Sequence, residues 1–384
     1  MQTKAIVHYA PVDGEMVYKI QDVEVSDPGD NELLVEMIAT GICHTDLFLA
    51  STPEGPMAKY PKVLGHEDPE LNDPSLGIGW VRKVGRNVTS AHEGDCVALT
   101  VANCKECRFC TNGHPAACKV FNSLNLECPP GFTSTTEAGD KESIGGYYFG
   151  QSSFASWSNV LESSAINISH LITKNENLSI LAPLGCGFQT GAGSITNLGG
   201  VTAEDEIVIT GLGGVGLSGL MAAKRLNCKT IIAVDRVPSR LELAKSLGAT
   251  HLINTLESDY KAEVLRITEG SGPTVAMDTT GVISLMQDSI EVLSRLGTMV
   301  LVGVTPPGAE LSFEYLSFLS SGKKIVAGLE GDAIPWIFMP EMIKWYRDGE
   351  FPIDRLVKTY PADDFGRAIA DMNSGETVKP VLIW

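Results

Sequence analysis

The 384-residue sequence contains no run of about 20 consecutive apolar residues, the length a bilayer-crossing helix needs. Its apolar, charge-free stretch 207–223 is 17 residues long and holds five glycines, so no membrane span is expected. A surplus of basic residues is also missing. Lys and Arg number 29 against 47 acidic residues, a formal net charge of -18, which argues against nucleic acid or anionic lipid as a partner. The N-terminal MQTKAIVHYAPVDGE has no charged n-region leading into an apolar core, so the expected location is the cytoplasm. Internal repeats and low-complexity tracts are absent. The nine cysteines do not read as a disulfide framework: four crowd into one short cluster of a long chain, which favours metal binding in a reducing compartment.

What is present centres on residues 206–235, EIVITGLGGVGLSGLMAAKRLNCKTIIAVD. A short apolar run at 207–209 suits a buried strand, and a glycine turn follows it. Leu217, Leu220 and Met221 then fall at helical spacing, and a second apolar run at 231–234 ends on Asp235. Gly211 permits the tight turn, Gly213 lets backbone approach a pyrophosphate, and Gly216 lets the helix pack on the strand. The helix start around Gly214 and Val215 offers unpaired N–H groups to phosphate. Asp235 lies 19 residues after Gly216, where a carboxylate takes both hydroxyls of an adenosine ribose. It would repel a 2'-phosphate, so NAD is expected rather than NADP, with Arg236 a counter-signal.

The rest of the chain arranges itself around this unit. Short apolar or alternating runs at 3–8, 33–38 and 95–99 make the first hundred residues β-rich. From about residue 186 strands and helices alternate: helix at 240–247, and strands at 251–253, 275–278 and 299–304. After about residue 328 the alternation stops, a helix is expected at 340–347, and VKPVLIW reads as a strand returning to the first domain. The expected fold is α/β, a doubly wound parallel Rossmann sheet (188–329) inserted into a β-rich domain (1–187 and 330–384). Residues 122–146, rich in Pro, Gly, Ser and Thr, read as a long surface loop.

Two sets of side chains suggest metal. Cys104, Cys107, Cys110 and Cys118 have the spacing C-x2-C-x2-C-x7-C; four thiolates so close can surround Zn(II) and leave no open position, a structural site. Free thiols or an Fe–S cluster are the alternatives. Cys43 in GICHTD, His66 in LGHE and Cys186 in LGCGFQTG form a dispersed set that no short spacing connects. A Cys2His set with one open position is what a catalytic zinc needs, but buried structural Cys and His are the commoner reading of the spacing alone.

The combination of GICHTD, LGHE, the four-cysteine cluster, LGCGFQTGAG, GLGGVG and VDRVPSRLELAKSLGATHLIN resembles the zinc-dependent alcohol dehydrogenases of the medium-chain dehydrogenase/reductase superfamily, across essentially the whole chain. QTGAG and SRLELAKSLGATHLIN are most similar to the aryl-alcohol (benzyl-alcohol) branch. The resemblance implies a GroES-like first domain, NAD and two zinc ions per chain, a small alcohol or aldehyde substrate, and a homodimer or homotetramer, often paired through the last strands of the cofactor sheet; 299–304 is a candidate for that edge, though such a run is as often an interior strand. It also implies catalytic zinc on Cys43, His66 and Cys186, with Glu67 behind the metal and Asp46 fixing the His66 imidazole. Thr45 would accept the alcohol proton, while His44, Arg240 and Lys379 join the turn residues in binding the cofactor. Thr100, Tyr148, Phe149 and Val304 match positions that line the alcohol channel.

Two features depart from that pattern. Phe48 stands where many relatives carry a histidine that passes the proton outward. Residues 68–76, DPELNDPSL, intervene between LGHE and the strand expected at 77–85, an insertion too rich in proline and acid to continue a central strand. The competing expectation is therefore a catalytically impaired NAD-binding relative in which the insertion displaces His66.

Overall fold

The computed structural model describes all residues except 38, 56–57, 67–78, 137–138 and 174–177. It divides into two units, Met1–Cys186 with Ile334–Ile343 and Ile353–Trp384, and Gly187–Ala333 with Lys344–Pro352. The sequence reading carried 330–384 wholly into the first domain. Residues 344–352 instead belong with the second, where the Arg225 guanidinium lies 4.4 Å over the Trp345 ring and its Nε is 2.9 Å from Glu350.

In the first unit, strands Gln2–Val12, Glu15–Val25, Pro130–Thr135, Lys141–Gly145 and Lys62–Val63 close a barrel. A five-stranded sheet orders Trp157–Leu161, Glu32–Met37, Gly79–Val84, Cys96–Leu99 and Ala165–Asn167. The C-terminal Lys379–Ile383 pairs with Val357–Pro361 and Ala39–Gly41, so the end of the chain does return to the first unit. The expected surface loop at 122–146 is corrected. Phe121–Asn125 is helical, and Pro130–Thr135 and Lys141–Gly145 are barrel strands. Phe132 and Ile144 bury their side chains in the barrel, Phe132 between half-buried Gly131 and Thr133 and Ile144 between exposed Ser143 and half-buried Gly145, a period-two pattern that the local richness in turn formers conceals.

The second unit is built on one parallel sheet in the order His251–Asn254, Thr230–Asp235, Glu206–Thr210, Val275–Asp278, Thr298–Leu301, Lys324–Ala327. Every residue of Thr230–Asp235 and Val275–Asp278 is buried. A sheet covered by helices on both faces needs such continuous apolar strands. Strand order reverses between Glu206–Thr210 and Val275–Asp278, and a ligand crevice opens at the carboxyl ends of strands beside such a reversal. The edge expected at 299–304 is also corrected: Thr298–Leu301 is paired on both sides, and the edge is Lys324–Ala327. Among the described residues no helix is long and apolar enough to cross a membrane.

Candidate active site and metal centres

The three dispersed residues meet in the first unit. Cys43 is the extended residue immediately before helix His44–Ala50, and His66 follows the strand Lys62–Val63 closely. Asp46, on that helix, ties the two segments together. Its Oδ2 accepts the Cys43 backbone N–H at 2.9 Å; its Oδ1 accepts from His66 Nδ1 at 2.9 Å and from the Gly65 N–H at 3.3 Å. Nδ1 thereby keeps its proton, and Nε2 is the nitrogen that could give its lone pair to a metal. That Nε2 atom is buried without a hydrogen-bond partner. One ligand atom each from Cys43, His66 and Cys186 lies within 4.8 Å of the others.

The electrostatics match this geometry. A hydrogen bond from Cys186, with the charges of Lys379 and His66, holds the Cys43 thiol well below its ordinary value despite burial. Burial pushes His66 down, but the charge and hydrogen bond of Asp46, together with the Cys43 sulfur, hold it well above the usual imidazole range. A negative sulfur at Cys43 is therefore favoured in a buried space, and without a metal the imidazolium supplies the compensating positive charge that a divalent cation would supply in its place. The residues fit zinc.

The four-cysteine lobe passes a stricter test of distance. Zinc–sulfur bonds of about 2.3 Å put tetrahedral sulfurs about 3.8 Å apart. Cys107 Sγ and Cys104 Sγ lie 3.5 and 3.9 Å from Cys110 Sγ. Backbone N–H groups point at the sulfurs as well: Cys104 N to Cys118 Sγ at 3.4 Å and Cys107 N to Cys104 Sγ at 3.3 Å. Similar bonds from the backbone of Lys119 and Cys110 pull the Cys107 thiol down to about 6. Among the described residues these two clusters are the groups able to hold a metal.

In the second unit the glycine turn follows Glu206–Thr210 and opens helix Gly214–Arg225. Gly211 has φ +88°, and a Cβ on Gly216 would stand 1.8 Å from the Gly211 carbonyl oxygen. At Gly213 an added Cβ would meet nothing within 4 Å: the space beside it is open. Two of these glycines serve the fold, then, and the third leaves room for a ligand. Asp235 is buried at the end of its strand, and its carboxylate accepts from the N–H groups of Leu212, Arg236 and Val237 at 2.7–2.9 Å. The same carboxylate that would meet a ribose thus also braces the turn.

Other expected residues fall as follows. Thr45 Oγ1 is 3.6 Å from Cys43 Sγ. His44 and Phe48 are exposed on the same short helix. Lys379 is buried, with Nζ on the Ile42 carbonyl at 3.1 Å. Arg240 lies in helix Pro238–Leu247 and its buried Nε has no hydrogen-bond partner. Thr100 donates its hydroxyl to the Gly185 carbonyl at 2.8 Å, one residue before Cys186. Tyr148 and Phe149 pack on the His66 ring, at 5.5 and 4.6 Å between centroids, whereas Val304 is an exposed residue of the second unit. Glu67 and residues 68–76 lie outside the described residues.

A Rossmann unit with a dinucleotide turn, joined to a β-barrel unit that assembles one open and one closed zinc-type cluster, defines a zinc-containing dehydrogenase. Comparison with known proteins makes the class specific. The model of the zinc-binding dehydrogenase family matches residues 214–346, and that of the alcohol dehydrogenase GroES-like domain matches residues 29–148. Geraniol dehydrogenase of Castellaniella defragrans is 32% identical over 370 residues, spanning 95% of this chain and 94% of that protein. Two solved structures superpose over 100% of this chain and 99% of their own. One is an alcohol dehydrogenase zinc-binding domain protein from Burkholderia ambifaria (TM-score 0.90, 38% identity), the other benzyl alcohol dehydrogenase from Acinetobacter calcoaceticus (TM-score 0.88, 36% identity). The chain belongs to the zinc-dependent alcohol dehydrogenases of the medium-chain dehydrogenase/reductase superfamily, NAD-dependent oxidoreductases of alcohols.

Proposed function

We propose that this protein interconverts primary alcohols, aryl and allylic ones among them, and their aldehydes at a zinc held by Cys43, His66 and Cys186. A second, structural zinc would be held by Cys104, Cys107, Cys110 and Cys118. The observation that carries this reading is the trio itself, two sulfurs and a buried, unpartnered imidazole nitrogen within 4.8 Å. It also speaks against the impaired-relative alternative, which needs His66 displaced from the sulfurs. For substrate class the support is of two kinds: relatives named for geraniol and benzyl alcohol, and the rings of Tyr148 and Phe149 beside His66.

Zinc in such a set supplies a Lewis acid that lowers the pKa of an alcohol, and NAD supplies the hydride acceptor. Around them Asp46 fixes the His66 tautomer, and Thr45 offers the hydroxyl that takes the alcohol proton. Phe48 provides no base for onward transfer, so that proton passes to solvent without an imidazole at this position. In the second unit Gly211, Gly213, Gly214, Val215 and Gly216 receive the pyrophosphate and Asp235 the adenosine ribose. His44, Arg240 and Lys379 supply cationic charge to the cofactor.

We further propose that two copies pair through the edge strand Lys324–Ala327. Beside it helix Tyr315–Ser321 buries none of its residues and exposes Tyr315, Leu316 and Leu319 to 71, 66 and 60%. Exposed apolar side chains so concentrated just before a strand with one open edge mark an interaction surface.

The test is zinc analysis combined with an alcohol panel. The wild-type protein should hold two zinc ions per chain and form NADH with benzyl alcohol. Cys43→Ala and His66→Ala should each keep one zinc and lose turnover at least about a thousandfold, the scale of a lost metal electrophile. Undiminished turnover in either variant refutes the assignment. One zinc in the wild-type protein with no turnover on any alcohol would establish the impaired relative instead.

A further inference from the structure

His66 is gripped from a direction that the metal-site residues do not explain. Phe149 lies face-on to the imidazole, with centroids 4.6 Å apart and planes at 23°, and Tyr148 meets the same ring edge-on at 5.5 Å. Phe149 is itself braced by Tyr148 at 4.7 Å and Phe121 at 6.3 Å. It holds this position from a left-handed backbone, φ 50° and ψ 35°, and three neighbours are left-handed too: Tyr147 (φ 59°), Gly150 (φ 70°) and Ser152 (φ 54°). Bulky side chains seldom adopt such angles, and they persist only where the surroundings over-determine them.

Here the surroundings are the segment that carries His66. Ser152 Oγ donates to the Val63 carbonyl at 2.7 Å, Phe154 N to Leu64 at 3.0 Å, Ser153 N to Gly65 at 3.0 Å, and Gln151 Nε2 to His66 at 3.4 Å. Every carbonyl from 63 to 66 is thus met by residues 151–154. Gly65, at φ +90°, brings the two strands of backbone so close that a Cβ there would stand 2.4 Å from Phe154 N.

We infer that residues 147–154 form a cradle that presets the His66 ring for its metal, with Phe149 as the positioning residue that fixes the plane of the imidazole. Asp46 sets the tautomer and direction of that ring through Nδ1. A single hydrogen bond leaves the ring free to swing about its own axis, and the Phe149 face removes that freedom. Zinc retention at the trio should therefore depend on a flat ring at position 149. This inference rests on the reading of Cys43, His66 and Cys186 as a zinc site.

The experiment follows zinc release from the full-length protein into a chelator, without substrate or NAD, and records the absorption of the cobalt(II)-substituted protein. Phe149→Leu should release the trio's zinc about tenfold faster, the usual scale for loss of a group that orients a ligand. It should also shift the cobalt bands, while Phe149→Tyr behaves as wild type. Release from the four-cysteine lobe, read in the same trace, should be unchanged in both variants and so shows that the unit remains folded. Should Phe149→Leu fail that control, Phe149→Met takes its place. Wild-type release and cobalt spectrum in a folded Leu or Met variant would overturn the inference and leave the zinc assignment standing. A wild-type protein with only one zinc per chain would defeat both.

Discussion

Replacing Gly213 or Gly216 by alanine should separate ligand recognition from folding, because the same methyl group meets opposite surroundings three residues apart. At Gly213 the backbone is extended (φ -77°, ψ -170°) and an added Cβ touches nothing within 4 Å. Alanine adopts that conformation without strain, and removing a glycine from the unfolded chain then stabilises the fold by about 0.4–1 kcal/mol. For a unit of this size that is a rise of roughly 1–4 °C in thermal midpoint. The open space is nevertheless where the pyrophosphate must approach the helix start, and the methyl should cost at least one charge-assisted hydrogen bond. Such a bond is worth about 1.5–3 kcal/mol, or roughly 12- to 160-fold in NAD affinity. At Gly216 the Cβ would sit 1.8 Å from the Gly211 carbonyl oxygen, so helix and turn must part. Overpacking of this kind costs about 1–3 kcal/mol or more. Thermal unfolding without cofactor and calorimetric titration with NAD read the two effects independently. Gly213→Ala should unfold later yet bind NAD worse; Gly216→Ala should be worse in both. If Gly213→Ala binds NAD like the wild type, the turn does not receive the pyrophosphate and the cofactor assignment fails.

Other perturbations follow from particular contacts. Burial, aided by the Lys62 charge, drives His8 down to about 3. The ring sits among Tyr18, Phe154 and Phe365 with neither nitrogen hydrogen-bonded. A histidine with a depressed folded value contributes its full stability above the unfolded value of 6.5 and loses it as pH falls through 6.5 toward 3. At pH 5 the loss is about 2 kcal/mol. Thermal scans of wild type and His8→Phe at pH 7.5 and 5 should show a smaller acid shift in the variant, and equal shifts would refute the assignment. Asp46→Asn should weaken zinc at the trio about 10- to 100-fold while sparing the four-cysteine lobe, measured by chelator competition. Leu316→Glu should convert the oligomer to a smaller species in sedimentation, with each unit still folded; an unchanged sedimentation coefficient excludes that surface.

The parts of the molecule legible from the sequence are those whose physics is local. The dinucleotide turn needs glycines at fixed offsets between a buried strand and a helix, so 206–235 announces itself, and the four-cysteine lobe needs its sulfurs within one short loop. Strands buried on both faces read as continuous apolar runs, as in 230–235 and 275–278. Elsewhere the local signal misleads. Pro130–Thr135 and Lys141–Gly145 look like loop because Pro, Gly, Ser and Thr outnumber the two residues, Phe132 and Ile144, that decide their burial. The sheet edge escapes because Lys324–Ala327 is only four residues long and follows Lys323, so it shows no periodicity to count.

The metal trio is illegible for a different reason. Residues 43, 66 and 186 are brought together by Asp46, which binds both Cys43 and His66, and by the Thr100 hydroxyl on the Gly185 carbonyl. No spacing rule contains those long-range bonds, and only resemblance to a family pointed at the three together. Residues 147–154 were not foreseen as a cradle at all. A left-handed turn is ordinarily betrayed by Gly or Asn, whereas here Tyr, Phe and Ser occupy three of its four positive-φ positions. Conformations that local preference opposes leave no mark in composition, because what holds them lies elsewhere in the chain: the carbonyls of 63–66 and the imidazole they deliver. The same nonlocality bears on function. A ligand that no segment could place alone is placed by Asp46 on one side and Phe149 on the other, so small changes in either should be felt at the metal before they are felt in the fold.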